Sequence, residues 1–451
     1  MNYNQHIQII NELADRTAAK VRIDPELYAK YSVKRGLRND DGSGVLVGLT
    51  EVGEVYSYYI DDNDRIPDEG RLYYRGIEIT DLVNGFFREK RYGFEECTYL
   101  LLFGELPNQD QLKIFNELLS DVRELPAGFT EDMILKAPSR DIMNKLARSV
   151  LASYSYDDNP EDISIENVLR QSIELIARFP AMVAYAYMAK RHYVDRQSLF
   201  LHSPQPQLNT AENVLHLIRP NSIYSELEAR ILDLMLVLHA EHGGGNNSTF
   251  VTHAVTSTGS DTYSCMAAAI GSLKGPQHGG ASVKSYEMLQ DLKQNVRNWN
   301  SDGEVADYLK RILRKEAFDQ SGLIYGIGHA VYTLSDPRTR VLRQHAEALA
   351  SEAGREEEFA LYTSAERLAA EVFAEFKGRD KIVCANVDFY SGFIYDMLRI
   401  PPELYGPMFA VARISGWSAH RIEEIVSGNR IIRPAYKCVQ KRRPYTAMAD
   451  R

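Results

Sequence analysis

Cysteine is scarce in this sequence, and no cysteine lies near enough to another to form a recognisable pair motif. There are four in 451 residues, and no two stand in a C-x-x-C arrangement. This pattern argues against a disulfide framework and against a thiolate zinc site, and it fits a reducing compartment. The four are Cys97, Cys265, Cys384 and Cys438.

Long apolar runs are also lacking. The longest, residues 231–238, is interrupted by Asp233 and is far shorter than the roughly 20 residues that a membrane-spanning helix needs. The N-terminal segment MNYNQHIQIINELADRTAAK has neither the apolar core of a secretory signal nor the Arg-rich, Ser-rich and acid-poor character of a transit peptide. We therefore expect a cytoplasmic protein, or a mature one whose targeting segment has been removed, with no membrane partner.

An excess of positive charge is absent as well. The formal net charge is −10, so the chain has no long-range attraction for a phosphate backbone or an anionic membrane surface. Nucleic acid is excluded as an expected partner on this ground. The charged fraction of 25% is ordinary for a globular enzyme, which leaves small molecules and other protein chains as the expected partners.

The hydrophobic fraction is 44% over 451 residues, enough for a large core and for more than one domain. Strand-forming residues are confined to residues 45–74, where the segments DDNDR and PDEG predict turns between strands. The chain after about Ile77 follows helical periodicity. We predict a mainly α fold with little β-structure near the N-terminus. The expected division is an N-terminal extension of unknown role (1–47), a large helical domain (48–279 and 389–451) and a small domain (280–388).

Two helix starts carry a capping-box pattern. Ser225 followed by Glu228 opens a helix that is apolar on nearly every side, which predicts a buried central helix. His242 follows the end of that helix, where three successive glycines stop it. Ser301 followed by Glu304 predicts a second capping box, at the start of an amphipathic helix in the small domain.

Three short segments place an ionisable residue beside glycines or a tight turn: GPQHGGA around His278, GIGHAVY around His329 and NVDFYSG around Asp388. Singly, each is more often a loop histidine or a helix-capping aspartate. His278 precedes a predicted helix, whose N-terminal dipole disfavours the imidazolium and leaves a neutral hydrogen-bond donor. A carboxylate such as Asp388 can remove a carbon-bound proton if the adjacent carbonyl is polarised at the same time. Such a pair suits the enolisation of a thioester.

Arginines in turns and apolar helical stretches complete the set. Arg338 in SDPRTR, Arg413 in AVARISGW and Arg433 in IIRPAY would be costly if buried without a partner. A guanidinium binds a carboxylate through two parallel hydrogen bonds, so several of them suit a dicarboxylic or tricarboxylic acid. Pairing of Arg338 and Arg413 with carboxylates of the protein itself is the alternative interpretation.

Taken in order, the segments HAEHGGGNNSTF, GPQHGGA, GIGHAVYTLSDPR, NVDFYSG, FAVARISGW and IIRPAY resemble the citrate synthases. GRLYYRGIEITDLV and FEECTYLLLFGELP resemble the opening segments of that family. The resemblance extends from about Gly48 to Tyr436. It implies a two-domain helical fold whose cleft closes on oxaloacetate, a homodimer or dimer-based oligomer, and a place in the tricarboxylic acid cycle.

The resemblance also implies the chemistry, a condensation of acetyl-CoA with oxaloacetate followed by hydrolysis of the citryl thioester. His278 would donate a hydrogen bond to the thioester carbonyl, and Asp388 would remove the methyl proton. His329 would polarise the keto group and protonate the new alkoxide. No metal and no tightly bound cofactor is implied, because coenzyme A enters as part of the substrate.

Binding residues follow from the same resemblance. Those implied for oxaloacetate are His242, Arg338, Arg413 and, reaching across the dimer into the other subunit's site, Arg433. Those implied for coenzyme A are Gly326 and Gly328, whose lack of side chains would let the loop approach the ligand.

Three other functions compete with this interpretation. The H-x-x-H spacing of His239 and His242 suggests a zinc site, although it lacks the H-E-x-x-H pattern and a third ligand. A non-catalytic paralogue is disfavoured because each inferred catalytic position has a chemically competent residue. A 2-methylcitrate synthase using propionyl-CoA is the nearest alternative, since an apolar pocket discriminates one methylene by only about 1 to 3 kcal/mol.

Overall fold

A computed structural model describes residues 3–61, 64–329, 331–378, 382–428 and 430–450. The chain divides into two compact units, Met1–Leu49 and Thr50–Arg451. The first unit contains helices α1 (Tyr3–Lys20) and α2 (Glu26–Lys30) and a short 3-10 turn, Arg35–Leu37. The second unit contains all the predicted site residues.

The second unit begins with a small antiparallel sheet in the order β1-β2-β3. Its strands are β1 (Gly53–Asp61), β2 (Asp64–Tyr74) and β3 (Ile77–Glu78), which confirms the predicted strand region. The expected DDNDR turn lies partly outside the described residues. The expected turn at PDEG is wrong, because Tyr56 pairs with Arg71 while Tyr58 pairs with Pro67, so this segment is a bulge within β2.

The remaining secondary structure of the described residues is helical, so the mainly α prediction is confirmed. The helices are α3 (Ile79–Arg88), α4 (Phe94–Phe103), α5 (Gln109–Asp121), α6 (Ile142–Ser153), α7 (Ile165–Tyr193), α8 (Thr210–Ile218), α9 (Glu226–His239), α10 (Asn247–Thr256), α11 (Thr262–Leu273), α12 (Ala281–Asn295), α13 (Asp302–Leu313), α14 (Pro337–Glu352), α15 (Glu356–Lys377), α16 (Asp388–Met397) and α17 (Tyr405–Ser427). Short turns of 3-10 or π type occur at Thr130–Leu135, Tyr154–Tyr156, Pro402–Leu404 and Met448–Asp450. No helix of the described ranges combines the length and the apolar composition needed to cross a membrane.

Helix α9 has the predicted capping box. The Ser225 side chain accepts from the backbone N–H of Glu228, and the Glu228 carboxylate accepts from that of Ser225. From Ile231 to its end at His239 the helix is buried all round, as its apolar sequence predicts. Only one hydrogen bond of the second predicted capping box is confirmed: the Ser301 side chain accepts from the backbone N–H of Glu304 at the start of α13. The Glu304 carboxylate accepts from the backbone N–H groups of Arg297 and Asn298 instead of that of Ser301.

Helix α17 is the centre of the second unit and packs against α4, α7, α9 and α10. Nearly all its side chains from Tyr405 to Arg421 are buried. A helix buried on every side cannot place a polar group in water, so each polar residue on it must contact another part of the protein or a ligand. The division into a large domain (48–279 and 389–451) and a small domain (280–388) stays a prediction.

A buried ion pair anchors the start of α9. Arg219 donates from Nη1 and Nη2 to the two carboxylate oxygens of Glu228 over 2.8 and 2.7 Å, and both side chains are more than nine-tenths buried. Burial opposes ionisation of Glu228, but the hydrogen bond from Arg219 outweighs it and lowers the pKa of the carboxyl to about 2.

We expect Glu228→Gln to lower the free energy of unfolding by about 3 kcal/mol, because it leaves the Arg219 charge buried without its partner. Because the folded-state pKa is depressed, this contribution is present above the unfolded pKa of about 4.3 and is lost as the pH falls towards about 2. Urea unfolding at pH 7 and at low pH measures both effects.

Glu226→Gln is the matched control, since Glu226 lies in the same helical turn but its side chain is 74% exposed. Its pair with Arg230 should contribute less than about 1 kcal/mol. Equal effects of the two substitutions at pH 7 would contradict the assignment of stability to the buried pair.

Candidate active site

Three aromatic rings from two different segments meet beside the C-terminal end of α9. The ring centroids of His242 and His329 are 5.2 Å apart, and Tyr332 lies 4.7 Å from His329 and 5.6 Å from His242. His242 belongs to the turn after α9, and the other two belong to the segment before α14. The structure thus brings together two predicted site residues that are far apart in the sequence.

His242 is buried and its Nε2 has no hydrogen-bond partner among the described residues. Burial, with the nearby positive charge of Arg338, holds the pKa of His242 well below its usual range. A neutral imidazole with an unpartnered nitrogen can bond a ligand without first giving up another contact.

His329 is held in one tautomer by the backbone. Its Nδ1 accepts from the N–H groups of Val331 and Tyr332, each over 3.0 Å. Burial, and then the charge of Arg338, lowers the pKa of His329 to about 4. With Nδ1 an acceptor, the hydrogen of the neutral ring is on Nε2, so this nitrogen is a fixed donor.

The β2 bulge positions the segment that follows His329. The backbone N–H of Gly70 donates to Ser335 Oγ over 3.2 Å, and Ser57 of β1 donates to the carbonyl of Val331 over 2.9 Å. A Cβ at Gly70 would lie 2.0 Å from the carbonyl oxygen of Ser335, so only glycine fits there.

His278 lies three residues before the first residue of α12, as the sequence predicts. Burial, followed by the charge of Arg413, lowers the pKa of His278 to about 4, so burial and not the helix end is the main cause. Its Nε2 is 3.1 Å from Ser248 Oγ, which also accepts from Trp417 Nε1 over 3.1 Å. The single hydroxyl hydrogen of Ser248 points to Asn246 Oδ1 over 2.9 Å, and it can turn to Nε2 of His278 instead. In that arrangement the ring hydrogen is on Nδ1 and is available to a ligand.

Asp388 is the first residue of α16, and its backbone N–H donates to Asn386 Oδ1 over 3.0 Å. Burial raises the pKa of the Asp388 carboxyl to about 6, although the charge of Arg338 opposes the shift. No group in the described part of the chain donates a hydrogen bond to this carboxylate. It is therefore a stronger base than an ordinary aspartate and is free to accept a proton.

The loop with His329 is tied to the segment with Asp388 by Asn386. Its backbone N–H donates to the carbonyl of Gly326 and its Nδ2 to that of Gly328, over 2.8 and 2.7 Å. Both glycines have positive φ, +79° and +93°. A Cβ at Gly326 would lie 2.9 Å from the Cα of Phe389, whereas one at Gly328 would meet nothing within 4 Å. Gly326 thus serves the contact with α16, and only Gly328 borders open space.

Arg338 and Arg413 differ in what they contact. Arg338 donates from Nε and Nη2 to the two oxygens of Asp336 over 3.0 and 2.7 Å, so the alternative of a protein carboxylate partner is correct for this residue. Arg413, which is fully buried in α17, donates only from Nε, to the carbonyl of His239 over 2.6 Å. Its Nη1 and Nη2 are buried without a partner within the described residues, and burial lowers its pKa to about 10.

Arg433 is not brought to this cluster. It lies in the exposed segment after α17, and none of the described contacts joins it to the other site residues.

The two histidines of the H-x-x-H spacing face different parts of the protein. His239 Nδ1 lies 2.7 Å from the carbonyl oxygen of Met235 and the His239 ring packs on Phe409, whereas His242 faces His329.

Sequence reasoning missed three residues of the site. Ser248 contacts His278, Asp336 pairs with Arg338, and Asn386 joins the segments that contain His329 and Asp388. Each lies inside a motif quoted above: HAEHGGGNNSTF, GIGHAVYTLSDPR or NVDFYSG. The motifs indicated the right places, but hydrogen bonds between them depend on tertiary structure.

The assembled site combines neutral imidazoles, one basic carboxylate and the guanidinium of Arg413, which has no hydrogen-bonded anion among the described residues. Neutral imidazoles donate hydrogen bonds to carbonyl oxygens, the carboxylate accepts a proton, and the guanidinium binds a carboxylate. The arrangement suits proton removal next to a carbonyl, together with binding of a polycarboxylic acid.

Comparison with known proteins supports the same family. The family model for the C-terminal domain of citrate synthase matches residues 42–435. A citrate synthase of Haloferax volcanii is 34% identical over 89% of this chain and 94% of its own. A 2-methylcitrate synthase of Shewanella oneidensis is 32% identical over 81% of this chain and 87% of its own.

A solved structure agrees with the sequence comparisons. The citrate synthase of Pyrobaculum aerophilum superposes with a TM-score of 0.74, at 28% identity, over 92% of this chain and 95% of its own. The matched region contains every predicted site residue from His242 to Arg433. The chain belongs to the citrate synthase family.

Proposed function

We propose that this protein condenses acetyl-CoA with oxaloacetate and hydrolyses the product to citrate and coenzyme A. The observation that carries the proposal is the buried guanidinium of Arg413, whose two terminal nitrogens lack a partner near two neutral histidines and a basic carboxylate. A dicarboxylic oxo acid supplies the anion that Arg413 lacks and the carbonyl that a histidine can polarise.

The first step makes the nucleophile. Asp388 takes a proton from the acetyl methyl group while His278 donates a hydrogen bond to the thioester oxygen, which gives an enolate whose oxygen charge that hydrogen bond stabilises. The carboxylate suits this step because its pKa is raised to about 6, and the histidine suits it because its pKa is lowered to about 4. At neutral pH the base is ionised and the donor is uncharged.

The second step forms the carbon–carbon bond. The enolate carbon attacks the keto carbon of oxaloacetate, which restores the thioester carbonyl, and Nε2–H of His329 gives its proton to the alkoxide that forms. His242 Nε2, Arg413 and the Nη1 of Arg338 hold the oxo acid. Water then attacks the thioester carbonyl of citryl-CoA, and the thiol of coenzyme A leaves. Proposed closure of the small domain (280–388) excludes water until the bond has formed.

Localisation and assembly belong to the proposal as well. We place the protein in the cytoplasm as a homodimer, with Arg433 of each chain completing the other subunit's site and with Gly326 and Gly328 in the loop next to coenzyme A. The exposed position of Arg433, away from its own chain's cluster, supports the shared site.

The acyl donor is tested by thiol release with acetyl-CoA and propionyl-CoA at equal concentration, with and without oxaloacetate. Propionyl-CoA is the second candidate because a relative at 32% identity is a 2-methylcitrate synthase. We expect oxaloacetate-dependent release that is faster with acetyl-CoA. Faster release with propionyl-CoA would assign the second function, and no release with either would contradict both.

Asp388→Asn should lower kcat by about 10² to 10⁴ fold, because an amide cannot remove the methyl proton. Binding of oxaloacetate, measured by calorimetry, should be nearly unchanged. Because burial raises the pKa of Asp388, the ionised carboxylate destabilises the folded protein above about pH 6, so the amide should raise Tm at pH 8 and not at pH 4. A lower Tm at pH 8 would show that the substitution damages the fold.

The matched control is Asp396→Asn, in the same helix, whose carboxylate pairs with Arg355 outside the site. It should keep near-normal kcat.

The pH profile gives a separate test. In the unaltered enzyme kcat/KM should fall below about pH 6 as Asp388 becomes protonated, and the residual rate of Asp388→Asn should not show this fall at acidic pH. Near-normal turnover by Asp388→Asn would exclude Asp388 as the base.

The shared site predicts recovery of activity in mixed dimers. His278→Ala and Arg433→Ala should each be nearly inactive, the first without the electrophile and the second without a carboxylate anchor. Unfolding and refolding an equimolar mixture places both lesions in one site of each mixed dimer and leaves the other site intact. Random pairing should then restore roughly a quarter of normal activity.

Mass spectrometry of the refolded sample shows whether mixed dimers have formed. Absence of recovery in a sample that contains them would place the action of Arg433 within its own chain. Refolding each variant alone is the control, and neither should regain activity.

A further inference from the structure

A second histidine cluster lies away from the proposed reaction centre, between α10 and α17. His253 Nε2 is 3.1 Å from His420 Nδ1, and His420 Nδ1 is 3.7 Å from Glu423 Oε2. All three atoms lie within 4.8 Å of one another. His420 is fully buried and the other two side chains are mostly buried, at 13% exposure each.

Each imidazole of this cluster is fixed from behind by a carboxylate. His253 Nδ1 lies 2.8 Å from Glu424 Oε2, and His420 Nε2 lies 3.0 Å from Glu241 Oε1. In a neutral ring the nitrogen that faces a carboxylate carries the hydrogen, so the other nitrogen presents a lone pair. The two lone pairs then face each other at the 3.1 Å contact.

A third acceptor faces the same point. Glu423 Oε2 is buried and has no hydrogen-bond partner in the described ranges, while Glu423 Oε1 accepts from the backbone N–H of Glu51 over 2.7 Å. The Thr50 hydroxyl lies 3.5 Å from His420 Nδ1 and can donate to only one of the three acceptors. The other acceptors, which converge in a buried place, repel one another unless a cation lies between them. The cation is either a proton on one histidine or a metal ion.

The geometry fits a metal ion. Zinc binds histidine nitrogen and carboxylate oxygen at about 2.0 to 2.2 Å, so neighbouring ligand atoms of a tetrahedral site are about 3.3 Å apart. The distance from His253 Nε2 to His420 Nδ1, 3.1 Å, and that from His420 Nδ1 to Glu423 Oε2, 3.7 Å, lie on either side of this value. A histidine that binds a metal through one nitrogen and a carboxylate through the other is the usual arrangement in protein zinc sites.

We propose that His253, His420 and Glu423 bind one Zn²⁺ ion or a similar divalent transition-metal ion, with Glu424 and Glu241 orienting the two imidazoles. Two imidazole nitrogens and one carboxylate oxygen favour zinc, cobalt or nickel over magnesium or calcium. Water completes the coordination. The ion stabilises the contact between α10 and α17 and takes no part in the condensation.

The position of the ion gives it a structural effect on the reaction centre. Helix α10 begins beside Ser248, which contacts His278, and Glu241 immediately precedes His242. An ion that joins α10 to α17 therefore restrains Ser248, which contacts His278, and Glu241, which precedes His242.

The test is a titration of the full-length protein, freed of metal by chelation, with Zn²⁺ and with Co²⁺. We expect one equivalent per chain, a rise in Tm and the intense visible absorption of tetrahedral Co²⁺. His253→Gln should abolish this binding, and Glu424→Gln should weaken it by about 10 to 100 fold. His345→Gln, a partly buried histidine on α14 that stacks on Phe87, is the control and should bind normally.

Equal Zn²⁺ affinity of His253→Gln and the unaltered protein would overturn the proposal, because it would assign the ion to the histidines of the reaction centre. Absence of any binding would also overturn it and would leave a proton on His420, whose pKa Glu241 raises to about 9 against the effect of burial. If His253→Gln does not fold, anomalous scattering at the zinc edge from crystals of the unaltered protein decides. A peak between His253 and His420 supports the site, and no peak there contradicts it.

Discussion

The site depends on one buried charge that has no hydrogen-bonded anion among the described residues, the guanidinium of Arg413 in helix α17. The carboxylates of Glu241 and Asp388 act on it electrostatically without pairing with it. Burying a cation without a carboxylate is costly, and the lowering of its pKa to about 10 reflects that cost. Only Nε has a partner, the carbonyl of His239. The two remaining nitrogens are fixed donors in a dry interior, where an incoming carboxylate gains more than it would in water.

The protonation states of the neighbouring residues follow from the same constraint. Burial is the main cause of the low pKa values of His242, His278 and His329, and the charges of Arg338 or Arg413 add to it. The histidines therefore stay neutral donors at physiological pH. Asp388 shows the opposite balance, since burial raises its pKa to about 6 but the arginines keep it low enough to be ionised. Burial, assisted by the arginine charges, thus keeps the imidazoles neutral, while the same arginine charges oppose burial at Asp388 and keep its carboxylate ionised.

Much of this could be predicted from local sequence. The Ser225–Glu228 capping box and the apolar periodicity after it predict α9 correctly because both signals are local. The order of the motifs indicated His278, His329 and Asp388. The prediction of a Ser301–Glu304 box was wrong because the Glu304 carboxylate accepts from backbone N–H groups of the preceding loop and not from that of Ser301. The sequence spacing of Ser301 and Glu304 does not show which N–H group the carboxylate binds.

Contacts between distant segments could not be predicted. The partner of Arg338 is Asp336, two residues earlier, but nothing in SDPRTR distinguishes this pairing from one with a ligand. The contact between His253 and His420 joins residues 167 positions apart, so no metal-binding spacing exists in the sequence. Such features depend on how α10 and α17 pack.

Arg413 is thus a ligand-binding charge and has no structural ion pair among the described residues. Calorimetric titration with oxaloacetate, comparing the unaltered protein with Arg413→Gln, tests it most directly. We expect affinity to fall by about 30-fold or more, since losing one partner of a buried charged hydrogen bond costs about 2 kcal/mol or more. The Tm of the ligand-free variant should be at least as high as that of the unaltered protein. Unchanged affinity, or a markedly lower Tm without ligand, would contradict the account.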